Sequence, residues 1–313
     1  MKIFLHRRTI VWTLAALCLL AIIWVGIFFA IEHRWPLSTQ HKVSPPIVQE
    51  NSQPNSGATY GDFDRLTNFP GKLAIPCPAQ TARTMVLLLI GQSNTGNHAE
   101  MRYVSEYGDK VLNAFGGKCF LAASPLLGAT GEDGESWTLL GNKLIAVGLA
   151  DRVVLIPAGI GATSIQRWQQ GGDLNYMLLA VLDEVRTHYR ITHVLWHQGE
   201  TDFFNKTSKS NYTAMFSSLV DSLRQHGVEA PIFPSVATRC VKGPAWFPDS
   251  PTAQAQQALP DKARNIFSGV NTDTLLTLAD REDTCHYKKS GQEKFANAWL
   301  EVLRAHSSAD IVH

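Results

Sequence analysis

The chain has 313 residues, of which 45% are hydrophobic and 18% are charged, an ordinary globular composition that is long enough for one large α/β domain. Its formal net charge is +1, but three of the 28 Lys and Arg residues precede the first acidic residue. The remainder is therefore slightly negative, which excludes the broad basic surface typical of nucleic-acid-binding proteins.

The first feature of the chain is an uncharged, mostly apolar run over residues 9–31. At about 1.5 Å per residue, a helix of this length crosses the ~30 Å hydrocarbon core of a membrane. Lys2, Arg7 and Arg8 precede the run, so residues 1–8 are predicted to be cytoplasmic. A cleaved signal peptide is the alternative, but the run is long for one and ends without a small-x-small cleavage site. We therefore expect a single-pass membrane protein whose main domain is periplasmic or otherwise extracytoplasmic.

The segment after the predicted membrane helix is rich in Pro, Ser, Gln and Asn, which predicts a linker over residues 32–62. A domain over residues 63–306 and a tail over 307–313 follow. Within the domain, short apolar runs alternate with amphipathic segments of helix length, the pattern of a parallel sheet covered by helices on both faces. The predicted strands are residues 84–90, 152–157, 192–197, 231–237 and 274–279, and the predicted helices are residues 174–189, 212–223 and 292–306.

Four cysteines follow the membrane segment, an even number in a compartment that we expect to be oxidising. They can form two disulfides in any of three pairings. Cys240 and Cys285 each closely follow the end of a predicted strand, which favours this pair and leaves Cys77 with Cys119. A zinc site is disfavoured because the chain has no C-x-x-C spacing.

The strongest candidate for chemistry is Ser93, which follows the first predicted strand between Gly91 and Gly96. Open α/β folds place their active sites at the carboxyl ends of such strands. A serine hydroxyl needs a base, and the base needs an orienting group. Asp283 and His286 can supply both, because the carboxylate can bind one imidazole nitrogen while the other faces the serine. Their loop, between the last predicted strand and the last helix, is expected to open at the same edge of the sheet.

Two further polar loops end predicted strands. Residues 157–165 form a glycine-containing loop that can aim backbone N–H groups at an oxyanion, and the absence of a P-loop lysine sets nucleotide binding aside. Residues 196–202 carry two carboxylates, but no second carboxylate block supports a glycosidase. His193 and His197 lie about 13 Å apart in a strand, too far to share a metal ion.

Together these blocks resemble the sialate O-acetylesterase type of carbohydrate esterase, which belongs to the SGNH hydrolase superfamily. The resemblance spans about residues 84–303 and implies a flavodoxin-like three-layer α/β/α sandwich with a five-stranded parallel sheet. It also implies hydrolysis of O-acetyl esters on sialic acid or other carbohydrates, with no metal or other cofactor. The blocks that carry the resemblance are Gly91-Gln92-Ser93-Asn94, Gly161-Ala162-Thr163-Ser164-Ile165 with Trp168, Gln198-Gly199-Glu200-Thr201-Asp202, and Asp283-x-x-His286.

By this resemblance Ser93 is the nucleophile, His286 the general base and Asp283 its orienting carboxylate. The expected partner is an acetylated carbohydrate. Two alternatives stay open: an acetyltransferase that uses the same three residues to acylate a polysaccharide, and a glycan-binding module without catalytic activity.

The resemblance also indicates the oxyanion hole, for which the backbone N–H groups of Ser93 and Gly161 are the expected donors. SGNH hydrolases usually add an asparagine side chain, which this chain lacks in the corresponding block. Gln198 is the predicted replacement because its amide can donate in the same way, and Thr201 is the second choice. The candidate substrate contacts are Asn94, Trp168, Glu200 and Arg167.

Overall fold

The structure is a computed structural model that describes residues 57–240 and 246–309. The predicted cytoplasmic residues 1–8 and the predicted membrane helix at residues 9–31 lie outside these ranges. Across the two described ranges, no helix is both long enough and apolar enough to cross a membrane.

The described residues contain nine strands and seven α-helices, joined by loops and short 3₁₀ turns. The strands are β1 (Thr59–Tyr60), β2 (Leu66–Asn68), β3 (Ala74–Ile75), β4 (Thr84–Gly91), β5 (Val111–Phe115), β6 (Lys118–Leu121), β7 (Arg152–Gly159), β8 (His193–His197) and β9 (Ile232–Pro234). The helices are α1 (Trp137–Ala146), α2 (Asp173–Val185), α3 (Glu200–Phe204), α4 (Lys209–Gln225), α5 (Pro251–Gln257), α6 (Thr272–Leu275) and α7 (Lys289–Ala309).

Seven of the strands form one mixed sheet in the order β3-β6-β5-β7-β4-β8-β9. The five strands from β5 to β9 in this order run parallel, and β6 and β3 add an antiparallel edge. β4 lies between β7 and β8 and is buried along its whole length. A strand with neighbours on both sides and helices on both faces needs apolar side chains throughout, which explains its continuous apolar run.

Four of the five predicted strands are confirmed, as β4, β7, β8 and a shorter β9. The fifth, at residues 274–279, is wrong, because this segment contains the end of α6 and the start of a 3₁₀ turn, Leu278–Asp280. β5 is the fifth parallel strand instead. It was missed because buried Asn113 interrupts its apolar pattern, and this side chain exchanges hydrogen bonds with the backbone of Leu127. The sheet is therefore mixed, and not purely parallel as expected.

Helices cover both faces of the sheet. Alternate side chains of β4 point to opposite faces, so that Val86, Leu88 and Ile90 join one hydrophobic cluster with residues of α2 and α4. Leu87 and Leu89 join a second cluster with residues of α1 and α7. The three predicted helices are confirmed as α2, α4 and α7. α7 continues to residue 309, so the helix extends into the segment that was predicted to be a tail.

Two disulfides join Cys77 to Cys119 and Cys240 to Cys285, the pairing that the sequence favoured. The first links the segment after β3 to β6 at the antiparallel edge of the sheet. The second links the segment after β9 to the loop before α7, directly beside His286.

The predicted linker over residues 32–62 extends too far, because β1 pairs with β2 in an antiparallel hairpin. We call residues 59–68 the N-terminal hairpin. It is bonded to the main domain: the Arg65 Nε donates to the carbonyl of Gly128 at 2.8 Å, and the Gly128 N–H donates to the carbonyl of Leu66 at 2.8 Å. The hairpin is thus part of the folded domain.

Candidate active site

Ser93 begins a 3₁₀ turn directly after β4. Gly91, the last residue of β4, has φ of 142°, and a Cβ there would lie 2.0 Å from the carbonyl oxygen of His197. Only glycine fits this close approach. The same carbonyl accepts hydrogen bonds from the Gln92 N–H at 3.1 Å and from Thr95 Oγ1 at 2.9 Å. The end of β8 therefore fixes the backbone on both sides of Ser93.

Asp283 and His286 are joined in the loop before α7, which follows a 3₁₀ turn and not a strand as expected. The Asp283 Oδ2 lies 2.7 Å from the His286 Nδ1, and Oδ1 accepts hydrogen bonds from the backbone N–H groups of His286 and Cys285. Thr284, between them, has φ of 73°, which makes the tight turn. Because a carboxylate accepts, we assign the imidazole proton to Nδ1, which leaves Nε2 as the nitrogen that can take a proton.

The surroundings of Asp283 keep its carboxyl group ionised. Partial burial raises the pKa of Asp283, but the backbone N–H of His286, the imidazole of His286 and the backbone N–H of Cys285 together lower it by more. The net pKa lies below its usual value, so a carboxylate faces the imidazole at neutral pH. This is the charge state that orients and stabilises a histidine acting as a general base.

A cavity of about 700 Å³ opens at the carboxyl ends of the parallel strands. Ser93, which follows β4, and His286, in the loop before α7, both line it. Gly161, which follows β7, and Glu200, which follows β8, line it as well. The structure therefore brings together in one cavity four residues that the sequence predicted as site residues.

His98 also lines this cavity and was not predicted. Its ring stacks on that of His286, with centroids 5.3 Å apart and planes at 21°. Its Nε2 lies 3.0 Å from the Thr130 Oγ1. Burial lowers the pKa of His98 to about 4, and the neighbouring His286 adds to the shift, so His98 is neutral at pH 7. His98 lies in an irregular segment without a periodic pattern, so nothing in the sequence marks it as a site residue.

The two predicted backbone donors of the oxyanion hole differ in their availability. The Ser93 N–H makes no hydrogen bond within the part of the chain that the structure describes. The Gly161 N–H donates to Thr130 Oγ1 at 2.9 Å. Among the described residues, the Ser93 N–H is thus unengaged, whereas the Gly161 N–H is already bonded to Thr130.

The predicted oxyanion role of Gln198 does not fit its position, because the side chain is fully buried beneath the site and does not line the cavity. Its Nε2 donates to Asp202 Oδ2 at 2.6 Å and to the carbonyl of Thr163 at 2.9 Å, and its Oε1 accepts from the Tyr212 hydroxyl. The Gln198 amide is thus bonded to groups in the protein interior and does not face the cavity. Asp202 is buried with it, so a pair of Glu200 and Asp202 of the glycosidase kind does not face the cavity.

The side chain that lines the cavity with a free amide nitrogen is that of Gln92. Its Oε1 accepts hydrogen bonds from the backbone N–H groups of Thr201 at 3.2 Å and Gly199 at 3.4 Å. Its Nε2 has no hydrogen-bond partner among the described residues. The sequence contained Gln92 in the Ser93 block, but nothing in the pattern indicated which way its amide points. Thr201, the second choice, lines the cavity too.

Two of the predicted substrate contacts do not line the cavity. Trp168 is fully buried, packs edge-on against Trp196 at 5.5 Å and donates to the Thr163 hydroxyl. Asn94 donates to Glu200 Oε1 at 3.0 Å. Trp168 is therefore a core residue, and Asn94 holds the side chain of Glu200.

Glu200 is a buried carboxyl group in the cavity wall, with 2% of its surface exposed. Its Oε1 accepts from Asn94, and its Oε2 is buried without a hydrogen-bond partner in the described part of the chain. Burial raises the pKa of Glu200 to about 7, against the opposing hydrogen bond from Asn94. The group is therefore neutral in mildly acidic solution and becomes a carboxylate above neutral pH.

Aromatic side chains line the same cavity. The N-terminal hairpin contributes Tyr60 and Phe63 together with Asp64, and α3 contributes Phe204. Phe63 and Asp64 have φ of 61° and 54°, a left-handed conformation that costs non-glycine residues on the order of 1 kcal/mol or more each. The guanidinium of Arg167 lies over the Phe63 ring, 5.6 Å from its centroid. Arg167 thus reaches the cavity, as expected.

The sequence profile of the family described as carbohydrate esterase, sialic acid-specific acetylesterase matches residues 128–304, more than half of the chain. The chain belongs to this family. The matched region includes Gly161, Asp283 and His286 and begins after Ser93 and the N-terminal hairpin.

The chain is also similar to individual known proteins. A probable carbohydrate esterase of Arabidopsis thaliana is 28% identical over 94 residues, which are 30% of this chain and 36% of that protein. The match thus spans little more than a third of the relative. An X-ray structure of an Arabidopsis thaliana protein has a TM-score of 0.55 at 20% identity, over 72% of this chain and 98% of that one, which shows a shared fold. The crystal structure of NanS has a TM-score of 0.49 at 14% identity, over 74% and 100% of the chains.

Replacing Glu200 by Gln should change how stability depends on pH. The folded protein holds a proton on Glu200 up to about pH 7, whereas an unfolded glutamate loses it near 4.5, so wild-type stability from this group falls as pH rises through this window. The amide introduced in E200Q keeps an acceptor for Asn94 and does not ionise. We expect the variant to gain on the order of 3 kcal/mol relative to wild type between pH 4.5 and 8.

Urea unfolding of both proteins at several pH values measures this difference. The lowered pKa of His98 makes stability depend on pH in the opposite direction. Because His98 is present in both proteins, its contribution to stability cancels in the comparison. Stability curves that run parallel from pH 4.5 to 8 would contradict the assignment of a raised pKa to Glu200.

Proposed function

We propose that this member of the family is a serine esterase that hydrolyses O-acetyl esters of carbohydrates through an acyl-enzyme. The observation that carries the proposal is the short hydrogen bond between Asp283 and His286 in the wall of the cavity that Ser93 also lines. A hydroxyl, an imidazole and a carboxylate are the groups that this kind of acyl transfer uses.

In the proposed reaction, Ser93 Oγ attacks the acetyl carbonyl carbon while His286 Nε2 accepts the serine proton. Asp283 accepts a hydrogen bond from Nδ1 and stabilises the imidazolium that forms. The tetrahedral intermediate then collapses: its bond to the sugar oxygen breaks, and His286 returns the proton to that oxygen. Water, deprotonated by His286, then attacks the acetyl carbonyl carbon; the bond from this carbon to Ser93 Oγ breaks, His286 returns the proton to Oγ, and acetate leaves.

The negative charge of the intermediate needs hydrogen-bond donors that are already in place. The Ser93 N–H and the Gln92 Nε2 are assigned this role, because neither donates to another described residue and both residues line the cavity. The Gly161 N–H is a third donor, shared with Thr130. Gln92 thus stands in for the asparagine that the block around Gly199 lacks.

The first test is the Ser93→Ala variant. It should lower kcat/KM for p-nitrophenyl acetate by a factor of about 10⁴ or more while the circular dichroism spectrum stays that of wild type, since the nucleophile alone is lost. A fluorophosphonate probe should label the wild type and leave S93A unlabelled. Ser105→Ala, outside the cavity, is the matched control and should retain activity. Full activity of S93A would exclude Ser93 as the nucleophile.

A second variant, Gln92→Glu, tests the oxyanion assignment. It keeps an oxygen that accepts from the Thr201 N–H but removes the amide donor, so kcat should fall about 100-fold with little change in KM. Thr201→Val removes the hydroxyl of the other cavity-lining candidate and should leave kcat near that of wild type. Steady-state kinetics on p-nitrophenyl acetate measures kcat for both variants. A large fall of kcat in T201V, with little change in Q92E, would instead assign the donor to Thr201.

The proposal includes the membrane anchor predicted at residues 9–31. Two disulfides in the described domain support an oxidising, extracytoplasmic compartment for it. Alkaline carbonate washing should leave the full-length chain in the membrane pellet, and alkylation before reduction should leave Cys77, Cys119, Cys240 and Cys285 unmodified in cells. Release of the chain into the wash, or four reactive thiols, would contradict the anchored, extracytoplasmic placement.

A further inference from the structure

Three charged side chains line the described cavity apart from its histidines, and only one of them is a cation. They are Asp64, Arg167 and Glu200. The guanidinium of Arg167 is already engaged: its Nη2 and Nε donate to the carboxylate of Asp173 at 2.7 Å and 3.1 Å. A bidentate pair of this kind fixes the orientation of the guanidinium and compensates its charge in part, since both side chains are also exposed to solvent. The described lining residues therefore offer two acidic groups and one cation, which is already paired.

This charge balance opposes an anionic sugar. Sialic acid carries a carboxylate that is ionised at neutral pH, and a carboxylate that enters a partly desolvated cavity needs a cationic partner. Asp64 would instead place a like charge beside it, and Glu200 adds a second one at pH above about 7, where its carboxyl group is ionised; like-charge contacts in a binding site are unfavourable. Because Arg167 is paired with Asp173, it would bind a substrate carboxylate less strongly than an unpaired arginine would.

The uncharged part of the cavity is aromatic. Tyr60 is 46% exposed and Phe204 is 55% exposed, and both line the cavity together with Phe63. Aromatic faces of this kind pack well against the C–H face of a pyranose ring, which is apolar although the ring edge is rich in hydroxyls. The cavity volume of about 700 Å³ is in the range of small-molecule sites and far exceeds that of an acetyl group.

We propose that the cavity accepts a neutral O-acetylated pyranoside, whose ring packs on Tyr60, Phe63 and Phe204, and that acetylated sialic acid is a poor substrate. The proposal rests on the esterase function proposed above and names the sugar class that the same site takes. It assigns a role in specificity to the N-terminal hairpin, which lies outside the region that matches the family profile. The same hairpin supplies Asp64, one of the two acidic groups that oppose an anionic sugar.

The first experiment compares kcat/KM of the full chain on O-acetylated xylotriose, cellotriose and mannotriose with that on 9-O-acetyl-N-acetylneuraminic acid, with p-nitrophenyl acetate as the reference. We expect at least one neutral trisaccharide to exceed the sialic acid ester by about 100-fold. Equal or better hydrolysis of the sialic acid ester overturns the inference, as does hydrolysis of p-nitrophenyl acetate alone. Failure to hydrolyse p-nitrophenyl acetate refutes the proposed function instead.

The second experiment tests the aromatic contact. Phe204→Ala should lower the ratio of kcat/KM for the best trisaccharide to that for p-nitrophenyl acetate by about fivefold to tenfold. Tyr176→Ala is the matched control, because it removes a ring that is 66% exposed and does not line the cavity, and it should leave this ratio unchanged. Equal ratios in F204A and the wild type would overturn the role of the ring.

The third experiment tests the ion pair. Asp173→Asn removes the negative charge that engages Arg167, so the ratio of kcat/KM for the sialic acid ester to that for the trisaccharide should rise at least about threefold. Asp221→Asn removes the partner of Arg264, which does not line the cavity, and should leave the ratio unchanged. A ratio in D173N equal to that of the wild type would overturn the charge argument.

Discussion

The segment around Ser93 is positioned by one hydrogen-bond acceptor, the carbonyl oxygen of His197. It ends β8 at the point where β4 ends beside it, and it accepts hydrogen bonds from the Gln92 N–H and the Thr95 hydroxyl. This contact requires that Gly91 has no side chain. Ser93 is thus held at the carboxyl edge of the sheet through its neighbours, by the backbone N–H of Gln92 and the hydroxyl of Thr95. As the proposed nucleophile, Ser93 would be positioned before the reaction begins and would lose little conformational entropy in it.

The polar side chains that follow β8 point either into the protein interior or into the cavity wall. Gln198 and Asp202 bind each other in the interior, whereas Glu200, between them in the sequence, lies in the cavity wall. Glu200 and Asp202 both lie on α3, where residues two apart point to different sides, and Gln198 precedes this helix. The Gln198 amide is therefore bonded within the interior, and Gln92, which accepts from the backbone of the same block, is the amide that we propose for the oxyanion.

Features that are decided by residues close together in the sequence could be predicted, whereas features decided by contacts between distant segments could not. Buried central strands such as β4 carry their own apolar pattern, and Asp283 and His286 are close enough along the chain to be recognised as a pair. β5 was missed because the hydrogen bonds of Asn113 come from a loop beyond the strand. His98 was missed for a similar reason, since its stacking partner is distant in the sequence. The orientation of a buried amide, as at Gln198, is likewise decided by neighbours from other elements.

The N-terminal hairpin shows why composition can mislead at a domain boundary. Its few residues cannot form a core alone, and the strands of two and three residues are too short to be stable as an isolated hairpin. The hairpin is held by backbone bonds to Gly128 and Ala129, next to Thr130, which shares the Gly161 N–H and contacts His98. The segment that carries Tyr60 and Phe63 is therefore coupled through a few bonds to the groups around the oxyanion. On the proposed function, a change in the hairpin would alter the position of the sugar and of the reacting ester together, because both would depend on the same short stretch of backbone.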